Sequence, residues 1–318
     1  MRFLTDDRAL AKAPPVSVVI PTYNRFQLLV DAISSAYFQT YRDFELIVVD
    51  DGSIDETRGI PADGIEIRYP EVLRHLAPPG ETEPMVPMSP PTGGFRYKRI
   101  THTGMPGAVR NAGVALSRAP HIAFLDSDDV WRPEKLAMQA DIMKAGCKLS
   151  HTRELWRRSG RTISQSSQRH QREGDLFKES LRKCIIGPST AMIDRDFMVQ
   201  CGGFREDIEI AEDYELWLRL VPNCRVEYID LALTVKRAGH GDQLTEKYGH
   251  IEIFRLRALK QLVDEGFFYG ADLQLARIEL SRKCAIYANG ARRRGRVDDA
   301  AVFEEYADFY GNTIAGQL

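Results

Sequence analysis

Phe124-Leu125-Asp126-Ser127-Asp128-Asp129-Val130-Trp131 is the stretch on which the reading of this chain turns. An apolar run from His121 to Leu125 ends in three carboxylates within four residues. A buried strand that puts acids at its carboxyl end is how open α/β sheets place ligand-binding groups. On an extended segment the side chains at i and i+2 point the same way, so Asp126 and Asp128 can share one cation. The plainer reading is a polar turn ahead of the helix that Pro133 starts. The neighbouring segments decide between the two.

Upstream, Val16 to Ile20 is a short β-branched run that reads as a buried strand and stops at Pro21-Thr22-Tyr23-Asn24. Asn24 suits a helix N-cap, and Leu29, Ile33, Ala36 and Tyr37 follow at helical spacing. Phe44 to Val49 is a second strand, ending in Asp50-Asp51-Gly52-Ser53. Strand, helix, strand within one short span predicts a βαβ unit, hence a parallel pair with a right-handed crossover. Glu66 to Tyr69 and Phe95 to Ile100 are further candidate strands, separated by the proline- and glycine-rich stretch Ala77–Gly94. A helix over Gly107 to Leu116 then leads into the central strand.

Beyond Trp131, a helix is expected from Pro133 to Ala145, with Gly146 as its stop. Lys148 to Lys183 is basic and polar, and its pattern assigns no structure. A strand is expected near Gly187–Ile193, a helix from Glu212 to Leu220 with acids in its first turn, and two short strands at Val226–Asp230 and Leu233–Lys236. From Ile251 onward, Ile253, Leu256, Leu259 and Leu262, and then Leu273, Ala276 and Leu280, keep helical periodicity. Residues 1–245 therefore read as one α/β domain and 246–318 as a helical extension, with a break expected over Gly290–Gly295.

Composition narrows the function classes. A length of 318 residues and a net charge of −2 fit a globular protein and argue against wholesale nucleic-acid binding. Five scattered cysteines without a C-x-x-C pair suit a reducing compartment. With no signal-like or membrane-length apolar run, a cytoplasmic location is the expectation. No G-x-G-x-x-G follows the first strand, which argues against a dinucleotide-dependent dehydrogenase.

With these landmarks placed, the chain resembles a family 2 glycosyltransferase of the GT-A fold, a Rossmann-like mixed sheet flanked by helices. Four motifs carry the likeness in order. They are Val16-Ser-Val-Val-Ile-Pro-Thr-Tyr-Asn24, Glu45-Leu-Ile-Val-Val-Asp-Asp-Gly-Ser53, Ala108-Val-Arg-Asn-Ala-Gly113 with Phe124-Leu-Asp-Ser-Asp-Asp129, and Glu212-Asp213. Together they span roughly Pro15 to His240. The resemblance implies an inverting transfer of a sugar from a nucleotide-diphosphate donor, with a UDP-sugar expected, to an acceptor hydroxyl. The same resemblance is compatible with a non-catalytic nucleotide-sugar or carbohydrate-binding module.

Residue by residue, it implies donor binding by Pro21, Tyr23, Asp51, Arg110 and Asp126, with the Tyr23 ring against the base and Asp51 accepting from base or ribose. Arg110 has a second reading, in which it holds a neighbouring loop. Asp128 would contact a divalent Mn²⁺ or Mg²⁺ ion directly, with Asp126 assisting. His240 reads either as a third metal ligand or as a surface histidine. Such an ion stabilises a leaving diphosphate, and carboxylates suit it. Asp213 resembles the general base, and Glu212 would orient the loop or bind acceptor. Asp129 reads equally as a turn cap or a functional contact. Two features depart from the family pattern: the segment Ser53–Asn111 is long, and the tail is unexplained by the motifs. That tail could pair two copies of the chain. Its Arg292-Arg293-Arg294 run reads as a solvated interhelical turn or as a contact to an anionic membrane or a lipid-linked acceptor.

Overall fold

The computed structural model describes residues 2–3, 13–60, 65–66, 68–74, 90–158, 161–164, 170–239, 249 and 251–315. Strand β1 (Val16–Thr22) leads through helix α1 (Phe26–Tyr37) to β2 (Phe44–Asp50). Then come β3 (Phe95–Arg99), α2 (Pro106–Leu116), β4 (His121–Phe124), β5 (Asp129–Trp131) and α3 (Lys135–Lys144). A hairpin of β6 (Leu149–Arg158) and β7 (Arg161–Ile163) precedes α4 (Phe177–Arg182), β8 (Ala191–Asp194) and α5 (Arg195–Gln200). Helix α6 (Glu212–Leu220) and β9 (Val226–Ala238) finish the sheet, and α7 (Glu252–Asp264), α8 (Gly270–Arg293) and α9 (Val297–Ala315) form the tail.

The strands form one mixed sheet in the order β3-β2-β1-β4-β8-β6-β9-β5, with β7 paired to β6. The first four run parallel, whereas β8 lies antiparallel to both β4 and β6. The carboxyl ends of β1, β2, β3 and β4 therefore open on one edge, where parallel sheets bind ligands. The expected βαβ unit is present.

Each face of the sheet carries its own core. On one side Val18, Ile20, Leu29, Ile33, Leu136 and Trp131 pack together; on the other, Val19, Phe124, Trp217 and Leu218 do. Successive residues of β1 thus serve opposite cores, which is why its sequence is apolar throughout rather than alternating. The second core continues into the tail, because Leu256, Leu259, Leu280 and Cys284 belong to the same cluster. Gly113 sets the spacing of α2 on β1. A Cβ there would lie 2.3 Å from Val19 Cγ1, so only glycine lets the helix approach.

Several local expectations change. Asn24 does not cap α1: it adopts φ 50°, and its Oδ1 accepts from Ile54 N at 2.8 Å. The free amide of Phe26 is met instead by Asp55 Oδ2 at 3.1 Å. Of the Glu66–Tyr69 run, only Glu66 is in a strand among the described residues, as part of Ile65–Glu66 paired with Arg2–Phe3. The two strands expected between Val226 and Lys236 are one strand, whose register against β6 shifts between Ile229 and Thr234. That irregularity leaves Leu231 exposed and breaks the alternation a single strand would show. Helix α8 runs through Gly290 and breaks only at Arg294, while Arg292 bridges to Glu304 of α9 at 2.5 Å. Among the described residues, no helix is long and apolar enough to cross a membrane. Most of the proline-rich stretch, residues 75–89, lies outside the described residues, as does His240.

Candidate active site

A cavity of about 630 Å³ lies at the carboxyl edge of the parallel strands, walled by the ends of β1, β2 and β4, the start of α6 and Lys236 near the end of β9. Pro21, Tyr23, Asp51, Arg110, Asp126, Asp128, Glu212 and Asp213 all reach it. Residues as far apart in sequence as Pro21 and Asp213 are thus gathered in one place.

The loop after β4 turns on a hydrogen bond from Asp129 N to Asp126 O at 2.9 Å, which curls the acids toward one point. One carboxylate oxygen from each of Asp126, Asp128 and Asp129 lies within 4.8 Å of the other two. Asp129 Oδ2 is buried without a hydrogen-bond partner, with Lys236 Nζ 3.7 Å away. Burial pushes the Asp129 carboxyl up to about 7; Lys236 opposes that shift, and Asp128 and Asp126 add to it. Burial disfavours the Lys236 charge, yet Asp129 and Glu154 outweigh it and hold the ammonium above the ordinary lysine range. An all-oxygen set of three acids, one with an unmet lone pair, fits a hard divalent cation. In the structure Arg25 Nη1 donates to Asp128 Oδ2 at 3.1 Å, so a guanidinium already sits beside this acid.

Arg110 forms part of the cavity floor. One Nη donates to Asp126 Oδ1 at 2.7 Å and the other pairs with Glu212, while the guanidinium carbon sits 5.4 Å from the centre of the Phe204 ring. Burial opposes its charge, but Asp126 and Glu212 raise its pKa above the normal arginine value. Burial likewise pushes Glu212 up to about 7 against the pull of Arg110, with Asp213 adding to the shift. Both Nη groups of Arg110 are thus engaged by carboxylates from two different elements. It ties the acidic loop to the start of α6.

Asp213 is half-buried on the cavity wall in the first turn of α6. Its Oδ1 accepts from Tyr214 N at 2.7 Å, and Cys184 Sγ lies 3.4 Å from Oδ2. Burial first, and Asp213 second, raise the Cys184 thiol well above its usual value, so it stays protonated. The helix starts from Ala211 at φ 71°, a left-handed conformation that costs a non-glycine residue about 1–3 kcal/mol. That strain sits directly beside the acid pair.

At the other end of the cavity, Tyr23 is 40 % exposed and stacks on His102, with ring centroids 4.2 Å apart and planes 19° from parallel. Asp51 holds this corner together. Its Oδ1 accepts from Thr103 N at 2.7 Å and from Thr103 Oγ1 at 3.0 Å, and its Oδ2 accepts from Gly104 N at 2.9 Å. Gly52 permits the approach, since with φ 76° a Cβ would lie 2.9 Å from His102 N.

Arg25, His102, Trp156, Cys184 and Lys236 also reach this site or touch its acids, and none was singled out from sequence. His102 carried a usable signal, because it follows a parallel strand at its carboxyl end. Lys236 and Trp156 carried none, since their strands pair only in three dimensions.

A family model described as "Glycosyltransferase like family 2" matches residues 14–228. An uncharacterized glycosyltransferase of Rickettsia felis is 28 % identical over 228 residues, covering 71 % of this chain and 33 % of that protein. The chain therefore spans about a third of that relative's length. The Escherichia coli UDP-Glc:alpha-D-GlcNAc-diphosphoundecaprenol beta-1,3-glucosyltransferase WfgD is 28 % identical over 220 residues, covering 68 % of this chain and 73 % of WfgD. S. aureus TarS 1-349 in complex with UDP-GlcNAc superposes with a TM-score of 0.65 at 18 % identity, covering 92 % of this chain and 81 % of that one. The fold is thus GT-A, and the chain belongs to glycosyltransferase family 2.

Proposed function

We propose that this chain is an inverting, metal-dependent glycosyltransferase that moves a sugar from a nucleotide-diphosphate donor to an acceptor hydroxyl. The observation that carries the reading is the convergence of Asp126, Asp128 and Asp129 on one point of a cavity that also holds Asp213. A UDP-sugar is the favoured donor, in keeping with the UDP-Glc in WfgD's name and the UDP-GlcNAc bound to TarS. WfgD's name also supplies a precedent for a lipid-linked acceptor. Residues 1–245 would form the catalytic unit and 246–318 a helical extension bound to it through the shared core.

In this reading Tyr23 and Pro21 face the nucleobase. Asp51 acts first through the 102–104 loop, which takes up its carboxylate in the present structure. Asp128, with Asp126 and Asp129, would hold a divalent ion, which when bound stabilises the charge on the leaving diphosphate. Arg110 fixes the distance between that loop and α6, and so positions Asp213 relative to the donor. The Asp213 carboxylate takes the proton of the acceptor hydroxyl as it attacks the anomeric carbon from the face opposite the diphosphate. Inversion follows from that single displacement.

A thermal-shift screen of UDP-, GDP- and dTDP-sugars with and without Mn²⁺ tests the donor and the metal, because a ligand at a hundred times its Kd stabilises the native state by about 2.7 kcal/mol. Asp128→Ala should abolish the Mn²⁺-dependent part of the shift. Asp213→Asn should keep the shift and lose transfer by about 10²–10⁴-fold. Full transfer by Asp213→Asn would remove it as the base.

A further inference from the structure

We infer that the helical tail is a working part of the active site: α7 and α8 brace the chain around Cys184, whose thiol holds the Asp213 carboxylate in place. The inference rests on the glycosyl-transfer reading above and makes Cys184 a positioning residue for its base. The two adjacent acids that open α6 are met by different partners. Glu212 pairs with the Arg110 guanidinium, whereas Asp213 Oδ2 has Cys184 Sγ at 3.4 Å and its Oδ1 accepts from Tyr214 N at 2.7 Å. That difference matters to a base. A guanidinium fixes a carboxylate firmly but lowers its affinity for a proton. A neutral thiol is a weak donor, which orients the group and leaves its charge intact. Sγ also lies 3.4 Å from Ile186 O, but an ionised carboxylate is the stronger acceptor. Each Asp213 oxygen keeps a second lone pair. The carboxylate can therefore take the acceptor's proton as the acceptor oxygen bonds to the anomeric carbon and the diphosphate leaves with the electron pair of the broken C–O bond.

What fixes Cys184 comes largely from the tail. Cys184 follows the end of α4 by two residues, and the last carbonyls of a helix have no partner within it. Here Tyr214 Oη donates to Leu181 O at 2.7 Å, and Lys283 Nζ, from α8, donates to Arg182 O at 2.8 Å. Lys283 is only 8 % exposed, and its ammonium lies 3.6 Å from Glu252 of α7 and 3.9 Å from Glu279. A buried cation needs such partners, so its place is tightly specified. Leu181 and Tyr214 share one apolar core with Leu256 and Leu259 of α7. Helix α7 also approaches the site directly. Ile251, just before its first turn, lines the cavity. One turn on, Arg255 Nη1 donates to Glu252 at 2.6 Å. Burial opposes the Arg255 charge, but Cys184, Glu252 and Asp213 outweigh it and raise its pKa. Conversely, burial and then Asp213 keep the thiol protonated, against the fields of Arg255 from α7 and Lys236 from β9. Thiol, base and tail cation are thus mutual neighbours.

Two measurements on the full chain test this. The first follows UDP released from UDP-glucose or UDP-N-acetylglucosamine with Mn²⁺, water serving as the acceptor. Cys184→Val fills the space without donating, and Lys283→Met frees the end of α4. Both should lower kcat by about ten- to a hundredfold with KM unchanged, since displacing a reacting group by about 1 Å costs about a hundredfold. Cys184→Ser, which keeps a donor, should retain most of the rate. The UDP-induced thermal shift is the fold control for each variant. A wild-type kcat in Cys184→Val or in Lys283→Met overturns the inference, as does a Cys184→Ser no faster than Cys184→Val. The second measurement needs neither donor nor metal: iodoacetamide labelling of Cys184, read by peptide mass spectrometry. Asp213→Asn should label about tenfold faster than wild type, because one unit off a thiol pKa is about tenfold in thiolate, and Arg255→Met should label more slowly. Labelling rates unchanged in both variants also overturn it. If the wild type releases no UDP from either sugar, the transfer reading fails by itself, and the labelling still reports on the contact between tail, thiol and acid.

Discussion

Replacing Arg110 with methionine tests whether a buried guanidinium holds the two halves of the site together. Methionine keeps an unbranched stem over Phe204 and removes only the charge that neutralises Glu212, a carboxyl 6 % exposed, and the half-buried Asp126. Stripping a buried ion pair of one partner costs about 3–5 kcal/mol. Glu212 can escape the full cost by taking up a proton, which sets a ceiling. Holding a carboxyl with an ordinary value of 4.5 protonated costs about 1.4 kcal/mol for each pH unit above that value. The ceiling is thus about 5 kcal/mol at pH 8 and about 2 kcal/mol at pH 6. In the wild type, burial already raises Glu212 to about 7, so the stability its protonated form confers is complete below about pH 4.5 and is lost by pH 7. Removing Arg110 moves the end of that window upward. The wild type meets the same proton cost up to about pH 7, so the two part only above it: urea unfolding at pH 6 and pH 8 should show Arg110→Met losing about 1.4 kcal/mol more at the higher pH, and Glu212→Gln added to Arg110→Met should remove most of that difference. A loss independent of pH, or one untouched by Glu212→Gln, would refute the strut.

Other substitutions probe the scaffold. Glu45 is fully buried in β2, where Ser17 Oγ at 2.5 Å, Arg96 Nη2 at 2.6 Å and Arg118 Nε at 2.9 Å donate to it. Burial alone would raise its pKa, but these bonds outweigh it and hold the carboxyl below its usual range. Its contribution is therefore present above about pH 4.5 and is lost as pH falls through the lowered value, and Glu45→Ala should cost about 3–5 kcal/mol at pH 7. Denaturant titrations from pH 7 down to pH 3 should show variant and wild type converging. Gly113→Ala forces a methyl into Val19 and should cost about 1–3 kcal/mol, offset by about 1 kcal/mol of helix propensity. Val19→Ala in the same chain should remove the clash, which the melting temperature would report.

What the sequence discloses follows where its constraints are local. The runs before Asp51 and Asp126 are apolar on both faces and end in acids, so both strand and site are visible without coordinates. β6 is not visible, because Arg153, Glu154, Trp156, Arg157 and Arg158 make both faces look solvated. It is a strand because β9, some seventy residues downstream, pairs with it along most of its length. Arg110 illustrates the same limit on chemistry. A basic residue on α2 points equally well to a donor phosphate or to a structural acid, and the partner that engages it, Glu212, lies 102 residues away. Asn24 shows that good capping chemistry can be outbid, since its side chain and a left-handed backbone are claimed by the Ser53–Ile54 turn.

The charges around the cavity bear on how a diphosphate enters it. Asp51, Asp126, Asp128, Asp129, Glu212 and Asp213 line it against Arg25, Arg110 and Lys236, a formal excess of three acids. All three cations are already committed, Arg25 to Asp128, Arg110 to Asp126 and Glu212, and Lys236 to Asp129. Like charges about 4 Å apart repel by about 1 kcal/mol in water and about 4 kcal/mol at the effective dielectric of a protein surface. A bare diphosphate at this floor therefore meets net repulsion, and a divalent cation entering with it reverses the sign. The consequence is distinctive. Without metal, UDP binding should be weak and should strengthen as salt screens the acids; with Mn²⁺ it should be strong. Tight metal-free binding that weakens with salt would mean that the diphosphate contacts arginines instead of facing the acids, and the assignment of the aspartate loop would have to move.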